Sequence, residues 1–300
     1  MTSSNDASGA PIEERKHSTS PYQASGSLQG RTLLMSGGSR GIGLAIATRA
    51  ARDGANIVLM AKTGDPHPKL EGTVFTAAEQ LVAAGGQALP LVGDVRNDAD
   101  VEAAVAAAVE RFGGIDVVVN NASAIDLSRT DAVDMKRYDL MQDINVRGTF
   151  LLSKLALPHL RTSTNGHILT LSPPLNLDPK WAGMHLAYTM AKYGMSLTTL
   201  GLAEELKDDG VCVNSLWPCT LIDTAAIRNM PGGTQMVQAA RGPEIMADAA
   251  HAVLTGVGTG ATASGNFFTD EQVLRAAGVT DFSSYSLGAS EQDLVPDIFL

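Results

Sequence analysis

The sequence predicts a single-domain, doubly wound α/β fold: a seven-stranded parallel sheet with helices on both faces. Three observations lead there. From Leu28 onward, short β-rich apolar runs alternate with longer amphipathic stretches, as when strands and helices take turns along a parallel sheet. A glycine-rich run, Ser36-Gly37-Gly38-Ser39-Arg40-Gly41-Ile42-Gly43, separates the apolar Thr32–Met35 from an Ala-rich helical pattern. Ile115-Asp116-Val117-Val118-Val119 is nearly continuously apolar, which suits a strand covered on both faces.

Taken in order, Thr32–Ser36 is the first strand, and the glycine run turns it into a helix over Leu44–Arg52 that stops at Asp53-Gly54. Asn56–Ala61 is the second strand. Thr63–Thr73, with Pro66 and Pro68, reads as a loop, and Val74–Ala84 as a helix ended by Gly85-Gly86. Leu89–Val92 is the third strand and leads to Gly93-Asp94-Val95. Ala and Val recur at helical spacing through Val101–Phe112 until Gly113-Gly114. The fourth strand, Ile115–Val119, runs into Asn120-Asn121-Ala122-Ser123. A long helix is predicted over Tyr138–Leu160, a fifth strand over His167–Leu171, and a helix over Leu186–Asp208. Val211–Trp217 and Gly265–Thr269 complete the strands. Residues 29–270 form the expected domain, 1–28 a disordered lead rich in Ser, Thr, Gly and Pro, and 271–300 a C-terminal extension.

Composition excludes several classes. Hydrophobic residues are 44 % and charged residues 18 % of the chain, ample for a large core and unlike a disordered protein. A net charge of −10 without a basic, aromatic-interleaved run argues against a nucleic-acid partner. The lead has neither the apolar core of a signal peptide nor the character of a transit peptide, no stretch is long enough to span a bilayer, and Ile298-Phe299-Leu300 is not a peroxisomal address. A cytoplasmic protein is expected. Cys212 and Cys219 are read as free thiols, and no motif pairs either with a histidine. The histidines show no metal spacing.

In open α/β sheets ligands lie outside the carboxyl ends of the strands, where the chemistry-bearing residues fall. Gly37, Gly38, Ser39, Arg40, Gly41, Ile42 and Gly43 make the turn on which a dinucleotide's phosphates rest. Without Cβ the backbone turns sharply and comes close to the pyrophosphate, whose charge meets the helix's free N–H groups. At the end of the second strand, where a carboxylate would hold an unphosphorylated ribose, the chain has Lys62, with Arg40 nearby. Two cations there suit a 2′-phosphate, so NADP(H) is the expected cofactor. Far downstream, Tyr188 and Lys192 stand four apart on a predicted helix and so share a face.

The glycine run, Asn120-Asn121-Ala122, Asn145, Tyr188 and Lys192 occur in the order and spacing of the short-chain dehydrogenases/reductases, which the chain resembles over about 28–268. Within that family, residues 61–70, 172–177 and 187–196 match one branch more closely. The sterol-carrier domain that follows in that branch's eukaryotic members is expected to have no counterpart here.

The resemblance implies a Rossmann dinucleotide fold and hydride transfer between nicotinamide and a carbonyl or secondary alcohol. Tyr188 is then the acid/base, and Lys192 binds the ribose and draws the Tyr188 pKa down from about 10. Asn145 holds a water linking Lys192 to solvent, Asn121 and Ala122 pack near the adenine ribose, and Asp94 followed by Val95 meets the adenine. Pro218, Thr220 and Ile222 lie at the nicotinamide rim, although Cys219 stands where the family has glycine and Ser123 where it has another.

The family's substrate-binding serine is Pro173 here. Ser172 is the expected replacement, with Asn176 or a simple structural turn as alternatives. The substrate is expected to be a small apolar molecule, lipid-like, steroid or acyl. His185, Met184, Met190 and Met195 are candidates to face it, with a solvated histidine and ordinary core packing as the competing readings. A catalytically weak or dead NADP(H)-binding sensor or scaffold is the second reading of function. Helices Tyr138–Leu160 and Leu186–Asp208 are apolar on more than one side, and family resemblance pairs them across two-fold axes in a homodimer or homotetramer.

Overall fold

Every residue of Thr32–Ser36 and of Val117–Asn120 is buried, as expected for strands with both faces covered. In the computed structural model, which describes residues 20–67, 71–230 and 232–300, these are β1 and β4 of one seven-stranded parallel sheet. The other strands are β2 (Asn56–Ala61), β3 (Gln87–Val92), β5 (His167–Thr170), β6 (Cys212–Trp217) and β7 (Phe267–Thr269), in the order β3-β2-β1-β4-β5-β6-β7. Sequence order reverses between β1 and β4, and a crevice opens there at the carboxyl ends of the strands. Register brings Ser36 level with Met60 on one side and Asn120 on the other. The glycine turn, Lys62 and Asn121 therefore emerge together.

Helices cover both faces. On one side α1 (Gly41–Arg52), α2 (Val74–Ala83), α10 (Glu244–Thr255) and α11 (Asp270–Ala276) bury Ile46, Leu81, Ile245 and Val273 against the sheet. On the other, α3 (Asp98–Phe112), α5 (Thr149–Leu160) and α7 (Leu186–Glu205) bury Val101, Leu152 and Leu202. Shorter helices α4 (Met135–Met141), α6 (Pro179–Met184), α8 (Ala225–Arg228) and α9 (Gly233–Gln238) sit on the connections.

Several boundaries move for identifiable reasons. α3 starts at Asp98 because the Asn97 side chain accepts from Ala99 N–H and caps it. β3 starts at Gln87 because its ladder with β2 extends to Asn56. The helix expected over Tyr138–Leu160 starts at Met135, capped by Asp134, and is interrupted by a π-helical segment, Gln142–Gly148. Such insertions concentrate at functional sites, and this one carries Asn145.

The expected disordered lead is corrected over its last part, while residues 1–19 lie outside the described residues. Tyr22 and Leu28 are buried. The Tyr22 hydroxyl is 3.0 Å from His251 Nδ1, and Leu28 N–H donates to Asp53 at 2.8 Å. The C-terminal extension joins the same body. Val279, Phe282, Tyr285, Leu294 and Phe299 are all buried. The Arg241 side chain, wholly buried, binds Glu271 and Glu291 and so ties the extension down.

Candidate active site

At the switch point the glycine turn is shaped by what it touches. Gly37 and Gly41 have φ of 76° and 56°, which L side chains rarely adopt. A Cβ on Gly37 would lie 2.8 Å from Ala122 Cα, and one on Gly43 2.5 Å from Asn121 Nδ2. Asn121 explains the second contact: its amide donates to Gly37 O at 2.7 Å and Ser36 O at 3.2 Å, bracing the turn from β4. No side chain caps the start of α1, so its first N–H groups face the crevice without a competing oxygen from Arg40. This cradle fits a pyrophosphate.

The cleft built on the turn has a volume of about 680 Å³. Gly37, Ser39, Arg40, Gly41 and Ile42 line one end with Lys62, Asp94, Val95, Asn121 and Ala122, while Tyr188, Lys192, Pro218 and Ile222 line the other. Five expected site residues lie off it. Gly38 packs downward, where a Cβ would meet Leu59. Gly43 serves the Asn121 contact. Thr220 is engaged in an antiparallel bridge with Pro296. Asn145 spends its side chain on the loop after β4, accepting from Ala124 N at 2.8 Å and donating to Ala124 O at 3.0 Å. Ser172 is fully buried with its hydroxyl 2.8 Å from that of Ser215, so Leu171 takes the lining position beside it. The alternative, Asn176, donates to Phe299 O at 3.3 Å and does not line the cleft either.

At the end of the cleft that holds the glycine turn, Asp94 is already engaged. Arg96 grips its carboxylate, with the shortest contact at 2.6 Å, and Lys62 Nζ lies 3.2 Å away. The Arg96 hydrogen bonds hold Asp94 down at about 2. Arg40 donates instead to two carbonyls, Glu71 O at 3.0 Å and Gly72 O at 2.9 Å, which leaves its charge uncancelled by these contacts.

At the other end Lys192 is nearly fully buried. It donates to Leu171 O at 2.8 Å and lies 5.0 Å from the centre of the Trp217 ring. Burial pulls its ammonium down to about 7, with Asp297 opposing. Burial likewise pushes Asp297 up to about 7. Tyr188 departs from expectation: burial, with Asp297 adding to it, holds its phenol above the ordinary value. The lowering expected from Lys192 is absent here, and Phe299 lies against the Tyr188 ring.

Sequence reading missed this C-terminal cover. Leu221 N donates to Val295 O at 2.9 Å and Asp297 N to Cys219 O at 3.0 Å, so the tail runs antiparallel along the segment after β6. Trp217 Nε1 then holds Ile298 O at 2.9 Å. An apolar Ile298-Phe299 after a polar stretch was the available signal. Trp217, Met230, Met236 and Met246 also line the cleft, whereas Met184 and Met190 are exposed and Met195 lies in the core. His185 is neither solvated nor in the cleft lining but buried, edge-on to Tyr188 with ring centres 6.2 Å apart. Burial pushes the Cys219 thiol up to about 12, which keeps it unreactive.

The sequence model described as short chain dehydrogenase matches residues 31–231. Hydroxysteroid dehydrogenase-like protein 2 of Danio rerio is 52 % identical over 278 residues, 93 % of this chain and 66 % of that protein. The human protein of the same name is 50 % identical over 275 residues, 92 % of this chain and 64 % of that one. The chain thus spans slightly under two thirds of these curated relatives. A short chain dehydrogenase from Mycobacterium thermoresistibile superposes with a TM-score of 0.86 at 52 % identity, covering 91 % of this chain and 96 % of that one. A Xanthomonas campestris protein does so at 0.85 and 53 %, covering 91 % and 99 %.

Proposed function

The chain belongs to the short-chain dehydrogenase family of oxidoreductases, which use a nicotinamide cofactor, and from that premise we propose that it moves a hydride between NADP(H) and a carbonyl or secondary alcohol of an apolar substrate. The observation that carries this reading is the convergence of the braced glycine turn with Tyr188 and Lys192 on one cleft.

The glycine turn and the start of α1 would hold the pyrophosphate, and Arg40 and Lys62 a 2′-phosphate. When bound, the cofactor supplies the hydride donor or acceptor. Tyr188 gives a proton to the carbonyl oxygen in reduction and takes one from the alcohol in oxidation. Lys192, kept within the closed end by Leu171 O, binds ribose hydroxyls and offers the charge that favours the phenolate once the site rearranges around its ligands. Asn145, through Ala124, positions the loop that carries Ser123 and Ile125 into the cleft.

The apolar lining of Ile125, Leu127, Ile227, Met230 and Met236 favours an apolar substrate. The relatives' name, hydroxysteroid dehydrogenase-like, supports the steroid or lipid-like end of that class. Among the described residues no helix is long and apolar enough to cross a membrane. Cytoplasmic residence and self-association through α5 and α7, where Phe150, Leu197 and Leu200 are exposed, complete the proposal. The domain unit is 29–270, with the buried segments at either side packed onto it.

The test is oxidation of NADPH, followed by its absorbance, across steroid, acyl and aldehyde carbonyls. Turnover abolished by Tyr188→Phe supports the reading. Saturable NADPH binding without turnover on any member of the panel overturns it in favour of a binding protein, the reading favoured by Pro173 at the serine position and by the engagement of Ser172 with Ser215.

A further inference from the structure

Phe299 is fully buried beside the catalytic pair, and five rings surround it. Their centres lie at 5.3 Å for Tyr193, 5.9 Å for Trp181, 6.0 Å for Trp217 and 6.2 Å for both His185 and Tyr188, the last within 28° of parallel. It is also the only non-glycine residue with positive φ, 77°, among the described residues. A bulky side chain adopts that conformation only where its surroundings over-determine it, and such strain clusters at ligand sites. Here the ring box is reinforced by Asn176 Nδ2 donating to Phe299 O and Trp217 Nε1 donating to Ile298 O.

The box is not built for a phenyl ring alone. Trp181 Nε1 and His185 Nε2 are buried and, among the described residues, have no hydrogen-bond partner. A core made only for packing disfavours such atoms, because a buried polar group without a partner loses its hydration for nothing. An indole N–H can only donate, and a neutral imidazole donates through one nitrogen. Burial favours the neutral imidazole at His185. An acceptor oxygen carried on an apolar ring suits Trp181 Nε1, and suits His185 Nε2 as well in the tautomer that places the proton there.

Resting on the oxidoreductase reading above, we propose that Phe299 is an internal stand-in for the substrate's ring. When the turn at Asp297–Phe299 withdraws, a cyclic apolar carbonyl compound bearing a second oxygen takes its place against Tyr188, with that oxygen on Trp181 Nε1 and His185 Nε2. Phe299 is thereby a specificity-determining residue. Straight-chain carbonyls enter between Ile125 and Met230 without displacing it, whereas cyclic ones must compete with it.

The chain's two tryptophans, Trp181 and Trp217, both wall the subsite, so their fluorescence reports its occupancy without turnover. Full-length wild type and Phe299→Ala are titrated with cyclohexanone, its para-dione and hexan-2-one, and the same compounds are assayed with NADPH. In Phe299→Ala the KM for the dione is expected to fall by about tenfold relative to that for hexan-2-one, equivalent to ~1.4 kcal/mol. The fluorescence change is expected to saturate over the same concentrations. Adding Trp181→Phe should remove the dione's advantage over cyclohexanone. An unchanged KM ratio, or a fluorescence response to the dione no stronger than in wild type, overturns the subsite. Thermal melting checks folding, and Phe299→Leu, which keeps most of the buried volume, gives the same comparison if the alanine variant does not fold. A saturating fluorescence response without turnover of any compound, NADPH still binding, supports the subsite and overturns hydride transfer.

Discussion

Tyr188 meets two opposed requirements, since burial keeps its phenol protonated while proton transfer needs the charge to be reachable. Tyr188→Phe keeps the ring stack on Phe299 and removes only the proton carrier. It is expected to lower kcat by ~10²–10⁴ with NADPH affinity retained, as read by steady-state kinetics and a binding titration. Lys62→Asp places a carboxylate at the end of β2 and should reverse a preference for NADPH over NADH of about tenfold or more, if each ionic hydrogen bond contributes ~1.5 kcal/mol. Equal affinities in the wild type would refute the assignment of the cofactor. Buried Lys192 and half-buried Asp297 also set a pH signature. Asp297, raised to about 7, contributes stability when protonated and loses it as pH rises from the ordinary carboxylate range through 7. Lys192, lowered to about 7, contributes stability as the neutral amine, which is lost as pH falls from the ordinary lysine range through 7. The two contributions are therefore smallest together near neutrality, so the cofactor-free protein should melt lower at pH 7 than at pH 9, while on the acid side buried His167, pulled down to about 4, opposes Asp297. Asp297→Asn should shallow the acid-side decline but not abolish it, because buried Asp270, raised to about 6, falls in the same sense. Tyr188 and Lys192 were legible in the sequence because their spacing is local to one helix. Asp297 and Phe299 were not, because the apolar Ile298-Phe299 signals a buried end without showing that it returns along the segment after β6.

Among the elements, the strand-turn-helix from β1 to α1 carries the most local information, because Gly37, Gly38 and Gly43 each answer to a contact a few residues away or one strand over. Gly37→Ala combines a positive φ with a Cβ 2.8 Å from Ala122 Cα. It should weaken NADPH binding by tenfold or more while leaving the sheet's circular dichroism in place, as overpacking typically costs ~1–3 kcal/mol. The π-helical segment was illegible for the opposite reason. One extra residue in a helical turn leaves the apolar period nearly intact, so α4, Gln142–Gly148 and α5 read as one rod. Helix starts moved wherever a side-chain cap outranked the apolar pattern, as Asn97 does for α3 and Asp134 for α4. The edges of β3 and β7 depended on ladder partners that no local run encodes. Ser172 shows the limit most directly: its position in the chain is next to Leu171, which lines the cleft, yet its hydroxyl is held by Ser215 on the neighbouring strand.

For the molecule as a whole, alternation of strand and helix was enough to give the sheet's parallel character and a core on each face, since few arrangements bury apolar strands on both faces. The exposed apolar side chains of α5 and α7 predict a light-scattering mass of a dimer or tetramer at micromolar concentration, and Leu197→Asp should shift it towards the monomer. A wild-type monomer would remove self-association from the proposal. The position of β1 between β2 and β4 also bears on how the chain reaches this state. β1 and β2 can pair early, but the other edge of β1 pairs only with Val117–Asn120, made after α3. Until then Leu33, Leu34 and Met35 present an open, apolar strand edge that another nascent copy can extend. Refolding from denaturant should thus lose yield as protein concentration rises, and a chaperone that shields β1 until β4 pairs with it should restore it.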